Sequence, residues 1–243
     1  MTSLPDRAAG FVGTTATPHL SDPTAPRLQA LSYPSEQIDV TAMVTGGAAK
    51  RALDIALASV ALLIVLPLVG LIAATVALTS RGPVFYRQIR IGAGGRPFVL
   101  WKFRTMVRDA DRQRAALQHR NEATGPLFKV RHDPRVTVVG RMLRRTSLDE
   151  LPQLLNVLTG SMSLVGPRPA LPQEAACLSP RERVREAVRP GITGLAQVSG
   201  RSDLHWEAAI AFDLDYVRRH SLARDLQILL RTLPAVLARR GAY

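Results

Sequence analysis

The chain has 243 residues, 47% of them hydrophobic and 5% aromatic, and a formal net charge of +13, which allows one or two domains and one sizeable core. A single cysteine, Cys177, excludes an internal disulfide and any zinc cluster of paired cysteines; its expected place is a small core position. The charge is uneven: residues 1–49 carry two arginines against four acids, whereas residues 81–160 carry sixteen Lys/Arg against six Asp/Glu, so the positive field belongs to the middle of the chain. Such a field serves nucleic acid, an anionic membrane surface or phosphorylated substrates, and charge alone does not choose among them.

Residues 1–47 are rich in Pro, Thr, Ser, Ala and Gly without helical or alternating periodicity, which predicts a disordered tail. The tail lacks the charged n-region and cleavage site of a signal peptide. From Ile55 to Ser80 the chain runs 26 residues without a charge, about 39 Å as a straight helix and enough to span a bilayer. Pro67 sits near its midpoint, where it removes a backbone donor and kinks or breaks the helix, leaving halves of roughly 18 Å each. Lys50 and Arg51 precede the run and Arg81, Arg87 and Arg90 follow it, so both ends carry the positive charge of a cytoplasmic face. A helix that enters, bends at Pro67 and leaves by the same face satisfies these constraints. A kinked spanning helix is the alternative.

Beyond the turn at Gly82-Pro83, PVFYRQIRIG predicts a strand through Val84, Tyr86 and Ile89, with Gly92 to Gly95 as a hairpin connection and FVLWKFRTM as the returning strand. Residues 107–120 read as a charged, exposed helix. RHDPRVTVVGRMLRR predicts a turn at Asp133-Pro134 and then a basic amphipathic helix with Val136, Val139, Met142 and Leu143 on its apolar side. A further helix covers Gln153 to Leu158 and stops at Gly160. Near the C-terminus Leu226, Leu229, Leu230, Leu233 and Leu237 form an apolar stripe beside Arg231, Arg239 and Arg240, which suits core packing or a helix lying on a membrane. His119, His132, His205 and His220 show no metal-ligand spacing.

The most informative stretch is RMLRRTSLDELPQLLNVLTGSMSLVGPRP, residues 141–169. Asp149 and Glu150 lie between Arg141, Arg144 and Arg145 and a rigid Gly-Pro-Arg-Pro turn. Ser147 and Glu150 also fit a capping box, although Pro152 pushes the helix start later than the box requires. Two adjacent carboxylates at a helix mouth, beside arginines, can divide labour: one attacks phosphorus and the other holds a hard cation.

GPVFYRQIRIG, WKFRTM, DPRVTVVGRMLRRTSLDELPQLLNVLTGSMSLVGPRP and RPGITGLAQVSGR follow one another as do the blocks of the bacterial sugar transferases, the monotopic phosphoglycosyl transferases, which the chain resembles over residues 48–243. The resemblance implies an α+β fold: a membrane-inserted, Pro-kinked re-entrant helix over 48–80, then a small, mostly helical cytoplasmic catalytic region over 81–243 with a short β-hairpin and amphipathic interfacial helices. Lys50, Arg51 and Asp54 match the basic pair and aspartate that open the family's membrane helix. Leu66 stands where the family often has serine before the helix-breaking proline, here Pro67.

The family's catalytic dyad falls on Asp149 and Glu150. The implied reaction is ping-pong: Asp149 attacks the β-phosphorus of a UDP-sugar and releases UMP, and polyprenyl (undecaprenyl) phosphate then takes the phosphosugar, beginning exopolysaccharide or glycan assembly. Mg²⁺ is implied as cofactor, with Glu150 as its candidate ligand. Lys102, Arg104, Arg145 and Arg168 are candidates to hold the diphosphate or the lipid phosphate, a structural ion pair being the alternative for each. Gln197 joins them from the loop around Gly191-Ile192-Thr193-Gly194, whose glycines permit close approach of backbone to ligand. The C-terminal block, RRGAY included, resembles members that use UDP-glucose or UDP-galactose.

The expected partners are therefore the donor, the lipid acceptor and the membrane, with homo-oligomerisation and downstream glycosyltransferases left open. The expected location is the bacterial inner membrane, with the catalytic region on its cytoplasmic face. Two rival readings are a membrane-anchored nucleic-acid-binding protein, which the scarcity of aromatic residues disfavours, and a non-catalytic anchored scaffold.

Overall fold

A computed structural model describes residues 47–200 and 203–237; apart from Gly47, the tail expected over 1–47 lies outside them. Helix α1 spans Gly47–Thr79 and contains Pro67. The proline does not end it, so the two halves expected from the sequence belong to one helix. Its fully buried side chains are Lys50, Asp54 and Ala58 at one end and Ile72 and Val76 toward the other. Between them Leu63 and Ile64 are each 73% exposed. The helix is long and apolar enough to cross a membrane, with a mean hydropathy of 2.9 over its most apolar window. Thr75, Thr79 and Ser80 return their hydroxyls to carbonyls four residues back, which satisfies them within the helix.

The root of α1 is tied to the body of the protein by charge. Lys50 Nζ donates to Asp225 Oδ2 at 2.6 Å and to the Val165 carbonyl at 3.2 Å, Asp54 Oδ1 accepts from the Leu164 amide at 3.1 Å, and Tyr216 donates its hydroxyl to Asp225 Oδ1 at 2.7 Å. Arg51 bonds the carbonyls of Val157 and Leu158, in the last turn of a helix where acceptors lack intrahelical donors.

After the turn, β1 (Phe85–Ile91) and β2 (Pro97–Phe103) pair antiparallel, Phe85 opposite Phe103 and Ile91 opposite Pro97. A 3₁₀ turn, Ala93–Gly95, joins them, so the hairpin is the one the sequence predicts. Phe98 and Leu100 share a core cluster with Ala58, Ala61, Leu62 and Val65 of α1, while Phe103 joins Ile72 and Val76. The single helix expected over 107–120 is instead a short α2 (Ala110–Gln113) followed by a 3₁₀ segment, Ala115–Arg120. Only Ala110 of these is buried, and without an apolar stripe to pack a longer helix is not sustained.

Helix α3 (Val138–Arg145) is capped by Thr137, whose Oγ1 accepts from the Gly140 amide at 2.9 Å. Leu143 is fully buried, but Met142 is 55% exposed; the apolar side is thus narrower than expected, because Gly140 and Leu143 make the close contact. Helix α4 (Gln153–Thr159) ends at Gly160, whose φ of 87° is a left-handed C-cap. Three-residue strands β3 (Ser163–Val165) and β4 (Gly191–Thr193) pair in parallel. Between them come α5 (Pro172–Ala176) and a 3₁₀ segment, Glu182–Ala187.

Helices α6 (Leu195–Ser199), α7 (Trp206–Arg218) and α8 (Leu222–Leu237) complete the described chain. Ile228 of α8 enters the core with Tyr216, Val217 and Val165. Leu226, Leu230 and Leu233 face outward and are mostly exposed, so this part of the stripe is not core; Arg239 and Arg240 lie outside the described residues. Cys177 is exposed rather than buried, because it follows α5 on the outer side of a turn whose inward positions are Ala175 and Leu178.

Candidate active site

The dyad sits in a 3₁₀ turn, Leu148–Glu150, wedged between α3 and α4. Ser147 enters that turn with φ 55°, a left-handed conformation rare outside glycine, and makes no side-chain cap hydrogen bond. The capping box therefore does not form. Glu150 instead accepts at 2.7 Å from Lys102 Nζ, presented by β2.

Asp149 is 7% exposed. Burial pushes its carboxyl above the ordinary value and the Glu150 charge adds to the rise, whereas Lys102 and Arg144 pull it down. Burial acts on Glu150 in the same direction, but the Lys102 charge and hydrogen bond, with Arg168 and Arg90, outweigh it and hold Glu150 low. Adjacent carboxylates driven in opposite directions divide acid–base labour. Glu150 is the fixed anion, and Asp149 is a desolvated one, poorly solvated and therefore reactive once ionised.

Around them the structure gathers Lys102, Arg168, Arg90 and Arg144. Arg168 is exposed, and its guanidinium has no hydrogen-bond or ion-pair partner among the described residues. Arg144 donates from Nε to Thr105 Oγ1 at 2.9 Å, and its charge acts on Asp149. Its neighbour Arg145, a candidate ligand from the sequence, is exposed and exerts no comparable influence on the dyad. The reason is helix phase: on α3, Gly140 and Arg144 turn inward against Thr105 and Leu143 against Phe103, and Arg145 turns out.

Arg104 is also placed differently from the sequence reading. Its guanidinium bonds the Pro83 carbonyl, the Ser80 carbonyl at 2.7 Å and Ser80 Oγ at 2.8 Å, so it closes the C-terminal end of α1 instead of facing the dyad. Arg104→Ala strips these acceptors of a buried partner, at an expected cost of about 2 kcal/mol. Thermal unfolding checks this: the midpoint falls, while the donor KM of the folded fraction stays within about twofold. Gln197 lies on α6, and its buried Oε1 has no partner among the described residues. It packs beside Gly194, in the loop that supports the Gly166-to-Pro169 turn.

Glu150 offers a carboxylate oxygen, Oε2, beyond the one Lys102 engages. No group of three or more His, Cys, Asp or Glu assembles among the described residues, so the protein supplies one or two carboxylates and no all-protein cage. That donor set suits a cation held largely by substrate phosphates.

A buried carboxylate beside a paired glutamate, among guanidiniums and close to a long apolar helix, is the arrangement of a membrane-associated enzyme acting on phosphates. The chain belongs to the bacterial sugar transferase family, whose sequence profile matches residues 45–239. It is 46% identical over 202 residues to the exopolysaccharide production protein ExoY of Rhizobium meliloti (strain 1021), covering 82% of this chain and 89% of that protein. It is 43% identical over 203 residues to the UDP-glucose:undecaprenyl-phosphate glucose-1-phosphate transferase of Escherichia coli (strain K12), and 41% identical over 202 residues to the undecaprenyl-phosphate galactose phosphotransferase of Salmonella typhimurium (strain LT2). Each of those alignments covers 80% of this chain and 41% of the relative.

Proposed function

We propose that this protein transfers a sugar-1-phosphate, glucose or galactose, from its UDP-sugar to undecaprenyl phosphate, giving the lipid diphosphate-sugar and UMP and initiating exopolysaccharide synthesis. The observation that carries the mechanism is the opposed electrostatics of Asp149 and Glu150. Asp149, ionised, attacks the β-phosphorus of the donor. The bond to the UMP oxygen breaks with its electron pair, and an aspartyl-phosphosugar forms. Undecaprenyl phosphate then attacks the same phosphorus through one of its oxygens, and the Asp149 carboxylate leaves unchanged.

Charge crowding at phosphorus is the barrier to both steps, and fixed cations lower it without reorganisation. Lys102 positions Glu150, Arg144 faces Asp149, and Arg168 is free to meet the diphosphate. Mg²⁺, bound through Glu150 and the substrate phosphates, would neutralise charge on the leaving group. Arg145, exposed beside the dyad, is assigned no contact.

The same reading places α1 in the bilayer as a re-entrant helix bent at Pro67. Its two buried ends both rest on the catalytic body, and the exposed Leu63, Ile64 and Leu66 lie between them; a helix that left by the opposite face would carry one end away. The outward leucines of α8 and the exposed Val138 and Met142 of α3 suit the headgroup layer. The catalytic region then faces the cytoplasm at the inner membrane, where donor and lipid phosphate meet.

The test is UMP release by nanodisc-held protein with Mg²⁺, undecaprenyl phosphate and a panel of UDP-sugars. Release with UDP-glucose or UDP-galactose, with a matching lipid product, is expected. Folded protein that releases UMP from no donor would return the chain to the scaffold reading.

A further inference from the structure

The Gly166-Pro167-Arg168-Pro169 turn is held to an unusual degree. Four consecutive carbonyls are each taken by a donor from elsewhere in the chain. Pro167 O accepts from the Gly191 amide at 2.9 Å and Ala170 O from the Ile91 amide at 2.9 Å. The two between them accept from buried arginines: Arg168 O from Arg185 Nη2 at 2.8 Å, and Pro169 O from Arg90 Nη1 at 2.9 Å. Arg185 and Arg90 are only 6% and 7% exposed, whereas the side chain of Arg168, whose backbone they grip, is open to solvent.

Each buried arginine is itself fixed. Arg185 is held by Asp213, through Nε at 3.0 Å and through Nη2. Arg90 donates from Nε and Nη2 to Gln88 Oε1 at 3.0 and 2.6 Å and lies 3.9 Å from Glu174. Glu174 in turn accepts from the Leu171 amide at 2.8 Å, just past the turn. With a carboxylate near each buried guanidinium, the uncompensated positive charge is the one that projects.

We infer that Arg185 and Arg90 are positioning residues, clamping the two successive peptides that follow Arg168 so that its guanidinium is presented to the donor diphosphate from a rigid base. The inference rests on the reading that Arg168 binds that diphosphate. A long side chain loses less freedom on binding when its own backbone is already fixed, so the clamp improves affinity for the anion without touching it. Burial, and after it the Arg168 charge, bring Arg90 down to about 10. Lysine at either clamp keeps a charge but loses the planar fork, which joins Asp213 to the Arg168 carbonyl at Arg185 and Gln88 to the Pro169 carbonyl at Arg90.

A double-mutant cycle tests this, reading donor KM and kcat for UMP release from UDP-glucose and UDP-galactose, with the unfolding midpoint of each variant. Arg168→Ala is expected to raise KM about tenfold, and Arg185→Lys to raise it by about as much with kcat within about twofold. In the Arg168→Ala background Arg185→Lys should add nothing to KM, because the group it positions is gone. A doubly substituted protein whose KM rises about a hundredfold, the product of the single effects, overturns the clamp. Should Arg168→Ala alone leave KM unchanged, the binding role of Arg168 is what fails. A merely structural Arg185 would lower the unfolding midpoint and kcat equally in both backgrounds and leave KM alone. If Arg185→Lys does not fold, Arg90→Lys enters the same cycle at the neighbouring carbonyl, with the same expected and overturning results.

Discussion

Asp149→Asn is expected to reduce UMP release by about four orders of magnitude or more, since it removes the attacking oxygen charge and leaves nothing else in the site able to form the covalent intermediate. The same substitution should leave the unfolding midpoint unchanged or raise it. Burial lifts the Asp149 carboxyl above its ordinary value, and a group so raised favours the folded state only while protonated. Its stabilising effect is complete below the unfolded pKa and is lost as pH rises through the folded one. At neutral pH the ionised carboxylate is thus a strain on the fold, which the neutral amide relieves. A large drop in activity combined with equal or greater stability separates a chemical role from a structural one; a drop in both would argue that Asp149 mainly holds the turn together.

The pH profile follows from the same asymmetry. Activity needs Asp149 ionised, so kcat/KM should fall on the acid side through an apparent pKa above 3.8, the ordinary value for aspartate. Because Glu150 is held low by Lys102, it ionises first and Asp149 second, and the limb belongs to the pair. Lys102→Met removes the cation that pulls both carboxyls down, so it should move that limb to higher pH; a limb that stays in place would mean Lys102 does not set the electrostatics of the dyad.

The dyad was legible in the sequence because its chemistry is local: two acids, a flanking arginine cluster and a proline-bounded turn lie within thirty residues. The hairpin was legible for a similar reason, as alternation on either side of a glycine-rich connection determines a register without reference to the rest of the chain. What could not be read is what depends on distant partners. Arg104 looks like a phosphate ligand until the end of α1 is brought against it. Lys50 and Arg51 look like a positive flank, yet Lys50 reaches Asp225 and Arg51 the end of α4. The i,i+4 spacing of Lys50 and Asp54 was the available signal that one face of α1 is polar at its root and hence packed on protein. Arg144 could have been preferred to Arg145 from the phase of α3, with Gly140 and Leu143 marking the inward side. No periodicity announces β3 and β4, because three residues are too few to show one and their partners are 28 positions apart.

That short parallel pair is nevertheless a place where the fold tolerates little, and Gly191→Ala is expected to be among the most damaging single methyls in the described chain. The constraint is proximity and not backbone strain. A Cβ at Gly191 would stand well inside contact distance of the Gly166 amide and the Thr193 carbonyl, with Val165 C only 2.7 Å away, and all three are backbone atoms that cannot swing aside. Relief requires the β3–β4 crossing to open, which breaks the bonds from Gly191 N to Pro167 O and from Gly166 N to Thr193 O. Overpacking together with two lost backbone bonds amounts to about 4 kcal/mol, a large part of an ordinary domain's stability. The unfolding midpoint should drop by about 10 °C or more, with loss of soluble yield from detergent. Because the same crossing carries the turn that bears Arg168, any folded remainder should show a raised donor KM. A Gly191→Ala protein with a normal midpoint would mean that the two loops do not meet backbone to backbone, and the rigid presentation of Arg168 would lose its foundation.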